Sequence, residues 1–175
     1  MTFLLLLLLL LLAAGGYFFL VYQNPIRKGT ESLKAGEYKE AITYFEKAVA
    51  KDKNVSEAYR GMGIACFETE DYEKALSYFD EAIGQGAEKT DTLYRLMGTC
   101  HMKLSQYEEA AEVYSEGLVG ENIEEGIRRE MSRNRIAAYE KAGDWEQAKN
   151  CMDEYLAQYP EDEEAKREAE FLKTR

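Results

Sequence analysis

The chain has 175 residues, 31% of them charged, and its 33 Asp and Glu outnumber 22 Lys and Arg to leave a formal charge of −11. That excess argues against nucleic acid as a partner, because such binding rests on neutralising phosphates with Lys and Arg. With 46% hydrophobic residues, two prolines and three widely spaced cysteines, the composition suits a helical body in one domain and excludes a disulfide framework.

The chain opens with an apolar run. Residues 3–22, FLLLLLLLLLAAGGYFFLVY, carry no charge, and a helix of that length at about 1.5 Å per residue spans the roughly 30 Å core of a bilayer. The expectation is a transmembrane helix or uncleaved signal anchor over residues 1–24. The competing reading is a signal peptide cut at Ala13-Ala14-Gly15-Gly16. Against it, no Lys or Arg precedes the leucines, and cleavage would leave the apolar YFFLVY on a soluble product. Arg27, Lys28, Lys34 and Lys39 follow the run, which favours a cytoplasmic location for the rest of the chain. The alternative is an extracytoplasmic protein, or a secreted one after cleavage.

Asn24-Pro25 is a helix start, with Asn as the cap and Pro in the first turn. From there the sequence repeats itself. AGEYKEAITYFEKAVA from Ala35 is followed by TEDYEKALSYFDEAIG from Thr69, LSQYEEAAEVYSEGLV from Leu104 and AGDWEQAKNCMDEYLA from Ala142. In each, small and apolar residues recur at steps of three and four, as Tyr38, Ala41, Ile42, Phe45 and Ala48 do in the first, which marks one face of a helix. A second amphipathic stretch precedes each motif after a Gly or polar break, so every unit is a helical hairpin. Ala41, Ala75, Ala110 and Ala148 form one column of small residues, Gly63 and Gly98 another, and Tyr38, Tyr72, Tyr107 and Trp145 a column of large rings expected to fill the space between neighbours.

This unit of about 34 residues, two helices with the pattern Y…A…F…A, is similar to the tetratricopeptide repeat. The resemblance covers nearly all of residues 25–162 and implies an all-α fold, a right-handed α-solenoid of about four hairpins (residues 25–55, 56–90, 91–124 and 129–162) closed by a polar capping helix at 163–175. Departures carry their own expectations. Pro25 and Lys28 replace the usual aromatic and Leu, so the first helix should be short or strained. Ile136 stands where Gly or Ala is usual and Tyr155 where Ala48 and Ala82 stand, so packing there should be looser or shifted. ENIEEGIRR extends the third repeat.

No catalytic or metal-binding pattern is present: His101 is the only histidine and lacks ligand spacing, and no phosphate loop or nucleophile motif occurs. Cys66, Cys100 and Cys151 read as small buried hydrophobes. No cofactor, metal or enzymatic activity is expected. The resemblance instead implies an interaction module, held at a membrane, that takes a protein or peptide in its concave groove. The alternative is an assembly subunit of a membrane complex that oligomerises through its repeats. Within the groove, the resemblance places Arg60, Arg95 and Arg133, with apolar Phe67 and Met102 and the edge lysines Lys103 and Lys141. These side chains suit an extended peptide bearing carboxylates, which a guanidinium holds through two hydrogen bonds. The competing reading is that the arginines pair with Glu57, Glu130 or other helix-surface acids. The terminal-carboxylate clamp of chaperone-binding relatives is not expected, since Ile26, Thr30, Gly61 and Thr92 occupy its positions.

Overall fold

The computed structural model describes residues 24–120 and 122–175; the expected membrane helix lies outside them. Among the described residues no helix is long and apolar enough to cross a membrane, and no strand occurs. The fold is all-α. Two compact units meet in sequence between Ala87 and Glu88. The first holds α1 (Pro25–Lys34), α2 (Tyr38–Val49), α3 (Val55–Glu68) and α4 (Tyr72–Gly84). The second holds α5 (Asp91–Lys103), α6 (Tyr107–Gly117), α7 (Glu125–Ala142), α8 (Trp145–Gln158) and α9 (Glu163–Leu172).

One turn closes all four hairpins. The second residue of each sixteen-residue motif adopts left-handed backbone: Gly36 (φ 76), Glu70 (φ 61), Ser105 (φ 60) and Gly143 (φ 79). The residue after it donates its N–H five positions back, Glu37 to Ser32, Asp71 to Cys66, Gln106 to His101 and Asp144 to Tyr139, each at 2.9 Å. These are Schellman turns, which satisfy the last carbonyls of the first helix and reverse the chain. Glycine makes that conformation without strain, whereas Glu70 and Ser105 hold it against their Cβ atoms.

Within each unit consecutive helices pack in pairs, and α1 touches α3 as α5 touches α7. Phe45 on α2 lies where two first helices come closest: a Cβ on Gly29 or on Gly61 would collide with its ring. Phe79 meets Gly63 and Tyr114 meets Gly98 in the same way. The rings that fill the interior are therefore Phe45, Phe79, Tyr114 and Tyr155, all at 2% exposure or less. The expected column of Tyr38, Tyr72, Tyr107 and Trp145 is half-buried instead, because each residue opens its second helix, at the edge of the hairpin.

Helix α1 is short at 10 residues, and its Asn24 cap accepts from Ile26 N at 2.9 Å. Helix α7 begins ahead of residue 129 and runs for 18 residues, taking part of the ENIEEGIRR extension into the helix. The end of the chain is not loose. Tyr155 packs with Ile136, Cys151, Met152, Ala165 and Leu172, so α9 lays Ala165 and Leu172 onto α8. The three cysteines are buried, and burial pushes the Cys100 thiol up to about 12.

Candidate binding surface

In the first unit, Arg60 and Phe67 stand seven residues apart on α3, a spacing that puts them on one face with Ile64 between. Arg60 is exposed and makes no ion pair among the described residues. Phe67 is half-buried, with the Tyr72 ring edge-on at 5.9 Å. Glu57, the acid nearest Arg60 in sequence on α3, instead accepts from Asn54 Nδ2 at 3.3 Å.

The second unit uses its arginines differently. Arg95 Nη1 on α5 reaches Glu130 Oε1 on α7 at 3.4 Å. Arg133, one turn beyond Glu130 on the same face, reaches Glu168 Oε2 on α9 at 3.2 Å and stands over the Tyr155 ring at 5.6 Å. The first braces α5 to α7 and the second braces α7 to α9. Met102 packs against the Ala110, Ala111 and Tyr114 cluster, Lys103 is exposed, and the Lys141 ammonium lies over the Tyr107 ring at 5.6 Å. The structure thus brings Arg60 and Phe67 together on α3 and puts Arg95, Met102, Lys103, Arg133 and Lys141 on α5 and α7.

A polar node escaped the sequence reading. The Tyr155 hydroxyl donates to Asp162 Oδ2 at 2.7 Å, while Arg129 gives its Nε–H to the Tyr155 oxygen at 3.0 Å and its Nη2–H to Asp162 at 2.8 Å. The other oxygen of Asp162 caps α9 by accepting from Ala165 N at 3.0 Å. The Tyr155 hydroxyl, the Ala165 amide and Arg129 together hold the Asp162 carboxyl well below the usual range. The one signal for this node was Tyr155 in a column of alanines, which read as poor packing because its hydroxyl partners lie outside α8, on α7 and at the cap of α9.

Among the described residues no group of His, Cys, Asp and Glu side chains could hold a metal ion. On α3 of the first unit Arg60 and Phe67 present a cation and an apolar ring on one face, whereas Arg95 and Arg133 of the second unit are engaged with acids of neighbouring helices. Residues 26–90 match one tetratricopeptide repeat family model and residues 136–162 match another. The chain is a tetratricopeptide-repeat protein. No curated protein matches it in sequence. Among solved structures it is similar to YrrB, a TPR protein with an unusual peptide-binding site, at 22% identity and a TM-score of 0.71, over 85% of this chain and 74% of that one. It is also similar to MamA from Desulfovibrio magneticus RS-1, at 21% identity and a TM-score of 0.66, over 84% of this chain and 80% of that one. A MamA RS-1 double mutant aligns at 20% identity and a TM-score of 0.70, over 87% of this chain and 84% of that one. Likeness at these identities establishes the fold.

Proposed function

We propose that this protein is an interaction module that binds a peptide or protein partner along its first helices while residues 3–22 hold it at a membrane, with the repeats on the cytoplasmic side. The observation that carries the binding reading is the α3 face, where Arg60 has no ion-pair partner among the described residues and shares one stripe of the helix with half-buried Phe67. An unpaired guanidinium two turns from an apolar ring on the same helix face fits a partner segment with a carboxylate and an apolar side chain at a matching spacing. The peptide-binding site of the structurally similar YrrB supports the same use of the fold. Membrane attachment rests on the charge-free run of full spanning length, and the cytoplasmic side on the basic residues that follow it.

The test is site-specific photocrosslinking of the full chain in native membranes. A benzophenone side chain at position 64 should yield a covalent partner, absent when the probe sits at exposed Thr43 on α2 and lost on Arg60→Glu. Equal products from both sites, or none at 64, would overturn the α3 assignment. A product of twice the chain's own mass would assign this face to self-association. Protease added to intact spheroplasts should spare the repeats; digestion from outside would reverse the topology.

A further inference from the structure

A cavity of about 180 Å³ lies between the end of α6, one stripe of α7 and the second half of α8. None of Arg60, Phe67, Arg95, Met102, Lys103, Arg133 and Lys141 lines it, and its lining is rich in hydrogen-bond donors. Arg128, Ser132 and Arg135 come from α7 at steps of four and three, which align them on one side of the helix. Glu154 is the only carboxylate in the lining.

Arg135 is 15% exposed. One of its Nη groups donates to Glu154, which is itself 64% exposed at the rim. Its Nε–H is buried with no acceptor. Ser132 is 8% exposed and makes no hydrogen bond through its side chain among the described residues. Arg128 already donates through Nη2 to Gly120 O at 3.1 Å, which fixes its guanidinium beside the opening. A buried guanidinium N–H without an acceptor is a costly state; that atom is closed off from the cavity, so the face of Arg135 open to exchange is the Nη edge that exposed Glu154 now holds. At the mouth, Leu118 and the 82% exposed Val119 supply an apolar edge.

We propose that this cavity is a carboxylate site which accepts one small carboxylate carrying a short aliphatic group, with Arg135 and Ser132 as its donors and Leu118 and Val119 against the aliphatic part. Glu154 shows the chemistry: its own carboxylate occupies one edge of Arg135, and being mostly exposed it can turn to solvent when a ligand takes its place. The volume is that of about six waters at roughly 30 Å³ each, room for a carboxylate with a branched group of three or four carbons. The C-terminal residue of a polypeptide and a free aliphatic acid share this chemistry.

The experiment uses the full chain in detergent micelles with ¹⁵N-arginine, following the Arg135 and Arg128 Nε–H signals by NMR. It titrates acetyl-Ala-Ala-Val with a free carboxylate, the same peptide as its C-terminal amide, and isobutyrate. The free carboxylate should move the Arg135 signal and the amide should not. A response to the peptide alone assigns the site to a chain terminus, and one to isobutyrate assigns it to a free acid. Ser132→Ala should weaken binding about tenfold and Glu154→Gln, which removes the internal competitor at an exposed position, should strengthen it about tenfold. Binding of the amide equal to the acid, affinities unchanged in both variants, or no shift of the Arg135 signal at about 10 mM of any probe, a Kd limit equivalent to negligible affinity, would overturn the site.

Discussion

The Tyr155 hydroxyl on α8 donates to Asp162 at 2.7 Å, and Asp162 in turn caps α9. One carboxylate therefore ties the last helix to the hairpin before it. Tyr155→Phe keeps the ring in its apolar setting and removes only the donor, so unfolding in denaturant at pH 7 should show a loss of about 1–2 kcal/mol. The pH dependence follows from the lowered Asp162 pKa. A carboxyl with a lower pKa in the folded state contributes stability that is fully present above its unfolded value, near 3.9, and is lost as pH falls toward the folded value. The difference between the parent and Tyr155→Phe should therefore shrink below about pH 4. A difference that stays constant from pH 7 to pH 2 would rule this account out.

Leu172 is 1% exposed and packs α9 onto Met152 and Tyr155. Leu172→Ala should lower stability by about 2–4 kcal/mol through lost burial and the cavity left behind. Deletion of residues 163–175 should lower the melting temperature further. An unchanged melting temperature after the deletion would mean that α9 covers nothing of consequence.

Gly98 and Gly84 make a matched pair. A Cβ on Gly98 would stand 2.5 Å from Tyr114 Cε1, whereas one on Gly84 would have no neighbour within 4 Å. Gly98→Ala should cost about 1–3 kcal/mol by overpacking. Gly84→Ala, at the end of α4, should be neutral or stabilise by up to about 1 kcal/mol. Denaturant midpoints of the two variants decide it, and equal effects would contradict the close approach.

Glu70 holds left-handed backbone in a turn where two of its equivalents are glycine. Glu70→Gly should therefore raise stability, by about 0.5–1 kcal/mol once the greater entropy of glycine in the unfolded chain is counted. A loss of stability would show that the Glu70 side chain contributes contacts of its own.

Cys100 is fully buried and its thiol titrates near 12 because burial disfavours the thiolate. At pH 8 its reaction with a thiol reagent should proceed only through opening of the second unit, so the rate should rise with denaturant in step with unfolding. Rapid labelling of the native protein would contradict the burial.

The hairpins were legible because a helix that buries one stripe must repeat apolar residues every three or four positions, and Ala41, Phe45 and Ala48 do so in register with Ala75, Phe79 and Ala82. Their turns were only half legible: Gly36 and Gly143 announce left-handed backbone, while Glu70 and Ser105 do not, since the closing of the hairpin turn imposes it on them. Arg95 and Arg133 could be found by alignment, but their engagement could not be ordered by it. Glu130 was a candidate partner in sequence, whereas Glu168 sits on a helix outside the repeat pattern. Likewise, the cavity donors Ser132 and Arg135 carry no motif, because what distinguishes them, a hydroxyl without a partner and an Nε–H left over beside the Glu154 ion pair, exists only in three dimensions.

Phe45 has glycines from two successive hairpins against its ring, Gly29 from its own and Gly61 from the next. The junction between these two hairpins is thus set by one ring and two missing methyls, within a cluster to which the second hairpin adds Ala58 and Met62. A hairpin exchanged for the second would be seated here only if it brought a glycine to the place of Gly61, which the third hairpin, with Leu96 there, does not. A fractional insertion would carry the glycine around the helix and set a Cβ against the ring.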